Sequence, residues 1–584
     1  MKPSVRRWCF ALLAVVLLAG AATRVSPLNR ERERLRLLAA PIPETARPSM
    51  MLTPMLALGR APLVDYLWLR AGKLKDQGHF FDALQLSKLI CELQPRFASV
   101  WAFQAWNMAY NISVTLDAPE ERWRWVKNGA ELLRDKAIPL NPHNIQLYRE
   151  LAWIYFHKIG DWTDEKHYYY KLQLALQIED VLGRPPKDWS RPGRNEGEFY
   201  RTYDYQPLAD APKEWAEIAR EPGIVAVVDS LRPYGFDAAK PGVYLGVLDG
   251  LRDGKLGIPT AEPGDEVNRL HALAEMMAQP ETAEARLRLE RFWRAWRLRN
   301  EFKIEPAYLL QIQKDLGGAG LDLRVPWTHA LYWAVMGLEQ GIERKVLIDT
   351  NRLNTQRIEF FCLQKLFDNG RMQMSPEAEK GVPPLFTPDL RFGEVLFEIY
   401  VRDAGQFEID KKGKPPVGSD FFTGFVGVTR RIALRYAEQG NREKAREKYE
   451  FLTKYYPDPF YGQTLDDFLN AQMVEDRKNP DLRVAMARMT AIIERGLYYL
   501  VYDEDEEGNR YIIRAKQLFD TYRKDIVSQR MDIPTDFNKV VAIVAYEYVG
   551  RMGEEVYKRV CAKLNIVPGD PREKPTTTAP MSPP

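Results

Sequence analysis

The stretch VGVTRRIALRYAEQGNREKAREKYEFLTKYYP, residues 426–457, contains two amphipathic helical patterns in succession. In its first half, Ile432, Ala433 and Tyr436 are spaced so that they lie on one face of an α-helix. Gly440 follows them, and glycine is the residue that most often terminates a helix. The first half therefore predicts a helix that ends near Gly440.

The second half has the same spacing and a different stop signal. Ala445, Tyr449 and Leu452 share one helical face, and Pro457 ends the pattern. Two helices joined by so short a turn form an antiparallel hairpin. Facing alanines, Ala433 and Ala445, allow the two helix axes to approach closely, with tyrosines filling the space beside them. A hairpin of this kind buries its outer apolar face only against neighbouring hairpins.

This order of residues resembles the tetratricopeptide repeat, a helical hairpin of about 34 residues. The match consists of a large, a small and an aromatic residue, a turn glycine, then an alanine, an aromatic, an apolar residue and a proline. Thr429 departs from the pattern, because the family usually has tryptophan or a similarly bulky residue there. The resemblance implies a stack of hairpins that binds proteins or peptides.

A second match to the repeat lies near the other end of the chain, in residues 63–95. Two further hairpin patterns follow it, each loosened by an insertion, so that residues 63–183 are predicted to form three consecutive TPR-like hairpins. The matching positions of the first of these are Leu67, Ala71, Leu74, Gly78, Ala83, Ile90 and Pro95.

The rest of the chain divides by its proline and glycine content. Residues 184–263 and 375–420 are rich in both and are predicted to be linkers or insertions with little regular structure, apart from short helical patterns at Ile224–Leu231 and Val243–Arg252. Residues 264–374 have helical periodicity without the full repeat spacing and are predicted to be degenerate repeats. Residues 421–565 form a C-terminal TPR-like helical region. The tail 566–584 cannot bury a core and is predicted to be disordered.

The N-terminus differs in kind from the rest of the chain. An apolar run over residues 8–22 ends in small residues, which is the order of a signal peptide or signal-anchor over 1–23. Its 15 residues span roughly 23 Å as a helix, against about 30 Å for a hydrocarbon core. A charged helix and linker over 24–62 follow. Three basic residues precede the run: Lys2, Arg6 and Arg7.

We therefore expect a single-pass, membrane-anchored protein whose body lies outside the cytoplasm. The arginines that follow the apolar run compete with the basic residues before it, so a body facing the cytoplasm is the alternative. The fold class predicted is all-α: a TPR-like helical hairpin solenoid with Pro/Gly-rich insertions and an N-terminal apolar anchor helix.

Composition limits the other functions. The chain has 83 basic and 80 acidic residues and lacks a concentrated basic face with interleaved aromatics, so nucleic-acid binding is not expected. Its four cysteines are scattered without ligand-like spacing, which predicts neither a disulfide framework nor a zinc site. The expected partner is therefore a protein or peptide, and no cofactor is expected.

The resemblance also implies where such a partner binds. In the family, fixed places on the first helix of each hairpin line an inner groove. Tryptophan, tyrosine and arginine dominate buried recognition patches, so a wall with three tryptophans suits an extended peptide or a helix. The alternative is that the insertions tilt the helices and bury these rings as core. The residues at the groove places are Asp65, Trp68 and Lys75, then Ser99, Trp106 and Tyr110, then Gln146, Arg149, Trp153, Phe156 and His157.

Imidazole and carboxylate groups gather in HKIGDWTDEKH, residues 157–167. His157, Asp161, Asp164 and His167 are candidate ligands for a divalent metal. A structural role is favoured, because their spacing matches no metal motif and Asp164 is well placed as the N-cap of the following helix. No metal site is therefore predicted.

Three further polar residues have two interpretations each. Asn107 and Asn111 lie on one helical face and either clamp a ligand backbone or hydrogen-bond the loop after them. His329 lies on an aromatic helix and is interpreted as structural, not as a general base, because no nucleophile motif is near it. No catalytic residue is predicted. The expected function is a membrane-tethered scaffold in the cell envelope, and the alternative is an exported all-α enzyme that acts on polysaccharide or cell wall.

Overall fold

The computed structural model describes most of the chain from Arg60 to Gly569. The described ranges are 60–183, 205–252, 279–341, 349–374, 384–387, 389–404, 420–438, 441–455, 464–469, 482–528, 536–550 and 554–569, with isolated residues between 16 and 31. Nearly all regular structure in these ranges is helical, which confirms the all-α prediction for the part described.

Six α-helices make up residues 60–183, and three of the hairpin-forming helices run into π-helical turns. The α-helices are α1 Arg60–Asp76, α2 Phe80–Leu93, α3 Ala98–Trp106, α4 Pro119–Glu131, α5 Ile145–Trp153 and α6 His167–Leu182. The π-helices are Asn107–Ile112 after α3, Leu132–Ala137 after α4 and Ile154–Ile159 after α5. A short helical turn, Ile138–Leu140, closes the segment after α4.

In the region from 184 to 263, both predicted helical patterns, Ile224–Leu231 and Val243–Arg252, lie within helices, but the described part as a whole has more regular structure than predicted. Its described part, 205–252, is largely helical, and it packs on the helix that follows to make a separate small core in which Trp215 stacks on Trp293 at 5.2 Å. Proline and glycine here stand at helix starts and turns, where both are tolerated, so they did not signal a linker. The helices are α7 Gln206–Ala209, α8 Trp215–Ile218, α9 Pro222–Leu231, α10 Pro241–Arg252 and α11 Ala283–Glu301.

The next helices are α12 Pro306–Asp315, α13 Pro326–Gln340 and α14 Thr350–Asn369. A two-stranded antiparallel sheet follows, β1 Arg371–Gln373 and β2 Leu385–Thr387, with Met372 opposite Phe386. The sequence has no alternating strand pattern of useful length, and this sheet is small enough to leave the all-α class unchanged. The prediction of little regular structure over 375–420 is wrong in the described part, because a 14-residue helix, α15 Arg391–Ala404, lies there. Strands of three residues are too short to show an alternating pattern.

The stretch that opens the sequence analysis forms two helices, α16 Asp420–Glu438 and α17 Arg442–Tyr455, which pack on each other. Ala433 and Ala445 are both fully buried. Four helices follow: α18 Leu482–Val501, α19 Asp505–Ser528, α20 Phe537–Tyr548 and α21 Glu554–Leu564. They share a second core, separate from the large one that extends from Val64 to Leu469.

Helix α13 lies directly against α5, although about 190 residues separate them in sequence. Two glycines make this approach possible. A Cβ at Gly337 would lie 2.5 Å from Tyr148 Cβ, and one at Gly341 would lie 2.9 Å from Ile145 Cβ. Helix α13 also packs along α14, and α14 packs on α15. Helices α5, α13, α14 and α15 therefore belong to one packed core.

The predicted anchor lies mostly outside the described residues, since only Val16 and Gly20 of the run 8–22 belong to them. Within the described part of the chain, no helix combines the length and apolar character needed to cross a membrane. Of the predicted tail 566–584, residues 566–569 are described, and the hydroxyl of Tyr557 donates to the Gly569 carbonyl at 3.0 Å.

We predict that Gly337→Ala lowers the free energy of unfolding by about 1–3 kcal/mol, because the added methyl group forces α13 away from α5. Gly246→Ala is the matched control. Gly246 also lies inside a helix, but nothing is within 4 Å of its added Cβ. Alanine there should stabilise the protein by about 0.5–1 kcal/mol. Urea unfolding of both variants checks this, and equal effects would contradict the close packing.

Candidate functional site: an aromatic track

Helices α3 and α5 carry aromatic residues at the point where each changes from α- to π-helical geometry. Helix α3 ends at Trp106 and α5 ends at Trp153, and each continues for six π-helical residues. A π-turn holds one extra residue and changes the direction in which the following side chains project, and such turns are frequent at functional sites. The two helices thus present equivalent aromatic ends side by side.

The rings at these ends form two stacked pairs. Trp106 stacks on Tyr110 with ring centroids 4.1 Å apart and an interplanar angle of 19°. Trp153 stacks on His157 at 4.9 Å and 10°. A hydrogen bond of 3.4 Å between the Tyr110 hydroxyl and His157 Nδ1 joins the pairs. The four rings therefore form a continuous row of contacts from the end of α3 to the end of α5.

The row of rings continues to a third helix. Trp153 lies 5.6 Å from Phe156, and Phe156 lies 6.1 Å from Phe361 on α14. Both ends are open to solvent, with Trp106 40% and Phe361 43% exposed, whereas Phe156 is buried. We name these residues the aromatic track: Trp106, Tyr110, His157, Trp153, Phe156 and Phe361.

Polar groups fix the helices beneath the track. Arg149 donates from Nη1 to Asn351 Oδ1 at 2.7 Å, which ties α5 to the first turn of α14, and it also pairs with Glu150. Burial and the charge of Glu150 raise the pKa of Tyr110. Burial lowers the pKa of His157, although Asp161 opposes the shift. Near neutral pH the track is therefore uncharged, and its two end rings, Trp106 and Phe361, present apolar surface to solvent.

The structure brings together five of the eleven predicted groove residues: Trp106, Tyr110, Trp153, Phe156 and His157. Trp68 packs elsewhere, 5.3 Å from Phe103, whose ring also lies under Lys75 at 5.9 Å. Arg149 serves the track by anchoring α14 and does not stack in it. The three remaining groove residues also lie outside the track. Asp65 and Ser99 are exposed, and Gln146 is half-buried.

Phe361 is the member that sequence reasoning missed. It lies 205 residues beyond Phe156 in a helix without the repeat spacing, so no local pattern joins the two. The helical periodicity of residues 345–369 predicts the helix that carries Phe361, but it does not predict that this helix packs beside Phe156.

The predicted metal ligands have protein partners. Asp164 is not the N-cap of α6, because α6 begins at His167 and Lys166 occupies its N-cap position. Asp164 Oδ1 accepts instead from the Lys166 amide at 2.8 Å. Its carboxylate accepts from Lys158 Nζ at 2.5 Å and from the Tyr170 hydroxyl at 3.1 Å. The N-cap prediction is therefore wrong, because the carboxylate pairs with the buried Lys158, six residues earlier in the chain.

The other candidate ligands are similarly occupied. His167 Nδ1 lies 2.8 Å from Lys171 Nζ, and burial lowers the pKa of His167 to about 3 and that of Lys171 to about 7. Asp161 lies 3.4 Å from Lys365 Nζ. Within the described ranges, no group of three or more His, Cys, Asp or Glu residues is arranged to hold a metal ion.

The remaining polar candidates have structural contacts. Asn107 is fully buried and donates to the Phe80 carbonyl at 3.1 Å, while Asn111 donates to Asn107 at 2.9 Å. They hold α2 against α3, which neither interpretation of the sequence included. His329 is buried, stacks on Tyr155 at 4.8 Å and lies 2.7 Å from the Leu323 carbonyl through Nε2.

Comparisons of this chain with models of known protein families, with curated proteins and with solved structures found no match in any of the three. The function is therefore inferred from the geometry of the chain itself.

Trp106 and Tyr155 should respond differently to truncation. We predict that Trp106→Ala costs about 1 kcal/mol of stability, because it removes only a stacking contact on a partly exposed ring. Tyr155→Ala should cost about 3–5 kcal/mol, because it leaves a cavity in a ring site that is only 4% exposed. Denaturant unfolding measures both. Equal losses would mean that Trp106 is core.

His329 should make stability depend on pH. Burial lowers the pKa of His329 to about 4, below its ordinary 6.5. Above pH 6.5 the imidazole is neutral in both states. As the pH falls from 6.5 to 4, only the unfolded chain takes up the proton, so the folded state loses about 3 kcal/mol of stability. Between these pH values, His329→Gln should show a shallower decline in unfolding free energy. An unchanged slope would contradict the assignment.

Proposed function

We propose that this chain is a membrane-tethered, TPR-like helical scaffold that binds a protein or peptide partner in the cell envelope through the aromatic track. The observation that carries the proposal is the row of rings from Trp106 to Phe361, which crosses three successive helices and is exposed at both ends.

The order of helix packing supports the solenoid part of the proposal. In the stack α1–α2, α3–α4, α5, α13–α14, α15 and α16–α17, each element packs on the next. Residues between α6 and α13 leave this row and return to it. Three helical pairs in the row, α1–α2, α13–α14 and α16–α17, pack as hairpins. A TPR-like array has this nearest-neighbour arrangement.

The chemistry of the track supports a protein or peptide ligand. Aromatic side chains supply large contact areas with few rotatable bonds, and tryptophan and tyrosine are enriched at the centres of interfaces. Arg149 and Glu150 at its border can pair with polar groups of a partner while their own contacts hold α14 in place. An amphipathic helix or an extended segment with two or three apolar anchors suits such a surface.

The membrane part of the proposal comes from the N-terminal sequence alone. The basic head, the apolar run 8–22 and the charged segment after it favour a single anchor with the body outside the cytoplasm. A scaffold held there meets partners that are themselves in the membrane or the space next to it. Fractionation of cells with protease protection of the full chain tests this, and a soluble, protease-shielded cytoplasmic chain would overturn it.

Site-specific photo-crosslinking tests the partner-binding surface. We predict that benzoylphenylalanine in place of Phe361 forms a discrete crosslinked product in membranes, because the residue lies at the exposed end of the track. The same amino acid in place of Ile513, 58% exposed on α19, is the control and should give none. Combining the probe with Trp153→Ala should remove most of the product.

Two results would contradict this surface. One is the same product from both positions, which would indicate a contact without specificity. The other is a product at position 361 that persists with unchanged yield when Trp106 and Trp153 are both alanine. Circular dichroism of each variant confirms that the helices remain folded.

A further inference from the structure

Lys171 of α6 is a buried lysine without a counter-ion. Three lysines are buried in the described part of the chain. Two of them pair closely with carboxylates: Lys158 Nζ lies 2.5 Å from Asp164, and Lys448 Nζ lies 2.7 Å from Glu394. Among the described residues, no carboxylate lies within ion-pair distance of the third, Lys171. A buried lysine is normally paired, so this amine needs another explanation.

Aromatic rings surround the Lys171 amine. Its Nζ lies 5.6 Å from the ring centroid of Tyr168, 5.7 Å from that of Trp327 and 5.6 Å from that of Phe386. Its close polar neighbour is His167 Nδ1 at 2.8 Å, on an imidazole that burial keeps neutral. Aromatic rings attract a cation, but they replace only part of the hydration that an ammonium group loses on burial. The site therefore favours the neutral amine.

The neutral amine is a nucleophile. Burial lowers the pKa of Lys171 to about 7, and the charge of Lys365 contributes to the shift, while Asp161 opposes it. A desolvated lysine beside a second cation is an arrangement by which proteins activate this side chain. Lys171 can therefore react with an electrophile at a pH at which exposed lysines are protonated.

Two neighbouring groups suit an anion formed on this amine. Trp327 Nε1 is buried and has no hydrogen-bond partner in the described part of the chain. Lys365 Nζ lies 6.0 Å from the centroid of the same Trp327 ring, and its hydrogen bond to Asp161 is long, at 3.4 Å. An anionic group on Lys171 would thus gain an unused N–H donor and a cation, which the free amine cannot use.

The electrophile must be small. Lys171 is only 5% exposed, so a larger carbonyl compound would have to displace the rings around it. Carbon dioxide has three atoms, is uncharged and apolar, and enters such a site without the cost of burying a charge. Tyr168 is 42% exposed, so one wall of the site borders solvent.

We propose that Lys171 reacts reversibly with carbon dioxide to form a carbamate, which accepts a hydrogen bond from Trp327 Nε1 and pairs with Lys365. The lone pair of Nζ forms the N–C bond, one C–O π bond breaks and its electron pair passes to oxygen, and the nitrogen releases one proton to solvent. No oxidant or reductant takes part. The proposal does not depend on the partner-binding function of the aromatic track.

NMR spectroscopy of the full chain in ¹³C-labelled bicarbonate at mildly alkaline pH tests the modification. We expect a carbamate resonance that disappears on acidification and in Lys171→Met, whose side chain has a similar length and suits an apolar site. Lys136→Met, at an exposed position, is the control and should retain the resonance. Lys365→Gln and Trp327→Phe should each raise the bicarbonate concentration for half-occupancy about tenfold, since each removes one contact to a charged group.

Chemical trapping locates the carbamate without any substitution. Alkylation of the full chain with a trialkyloxonium salt in bicarbonate, followed by peptide mass spectrometry, should place the adduct on Lys171 and not on Lys158 or Lys448, the two buried lysines with counter-ions. Absence of the Lys171 adduct would overturn the proposal, and so would equal adducts on all three lysines. A resonance that persists in folded Lys171→Met, or half-occupancy unchanged in both Lys365→Gln and Trp327→Phe, would also contradict it.

Discussion

The fold depends on a buried guanidinium. Arg324 is 1% exposed and binds Glu179 of α6 at 3.0 Å and Asp322 at 2.8 Å, and it also donates to the Met372 carbonyl of β1 at 3.3 Å. Taking three charges out of water is unfavourable unless each finds its partners. The helix that ends the N-terminal hairpins, the segment before α13 and the small sheet are therefore held in one arrangement.

That arrangement explains how the aromatic track arises. With α6 fixed to the segment that precedes α13, helices α13 and α14 pack on α5 and bring Phe361 beside Phe156. The track thus joins residues that are far apart in sequence, and it does not exist within one hairpin.

Elsewhere in the described chain, buried charges mostly neutralise each other. Lys158 and Asp164 form a close pair, and Lys448 binds Glu394 at 2.7 Å. Groups satisfied in this way are poor candidates for catalysis, since a general base or a metal ligand needs free lone pairs. The aromatic track, with exposed rings at both ends, is therefore the better candidate for a functional surface.

The sequence was informative where structure is local. The hairpin of α16 and α17 follows from apolar spacing, glycine and proline within 32 residues, and the aromatic places on α3 and α5 follow from the same spacing. It was uninformative where structure is distant or subtle. Phe361 reaches the track only through tertiary packing, the strands are too short to alternate, and the π-turns have no sequence signature that separates them from α-helix. In the sequence, nothing distinguishes Gly337 from other helical glycines, because the restriction on its size comes from the tertiary contact with α5.

The central claim is that residues before 183 and after 320 form one packed body. A double-mutant cycle between Arg324 and Glu179, 145 positions apart, tests it most directly. Unfolding free energies of Arg324→Met, Glu179→Gln and the double variant should give an interaction energy of about 1–3 kcal/mol. Strictly additive effects would contradict the account, because the two residues would then not share a buried contact.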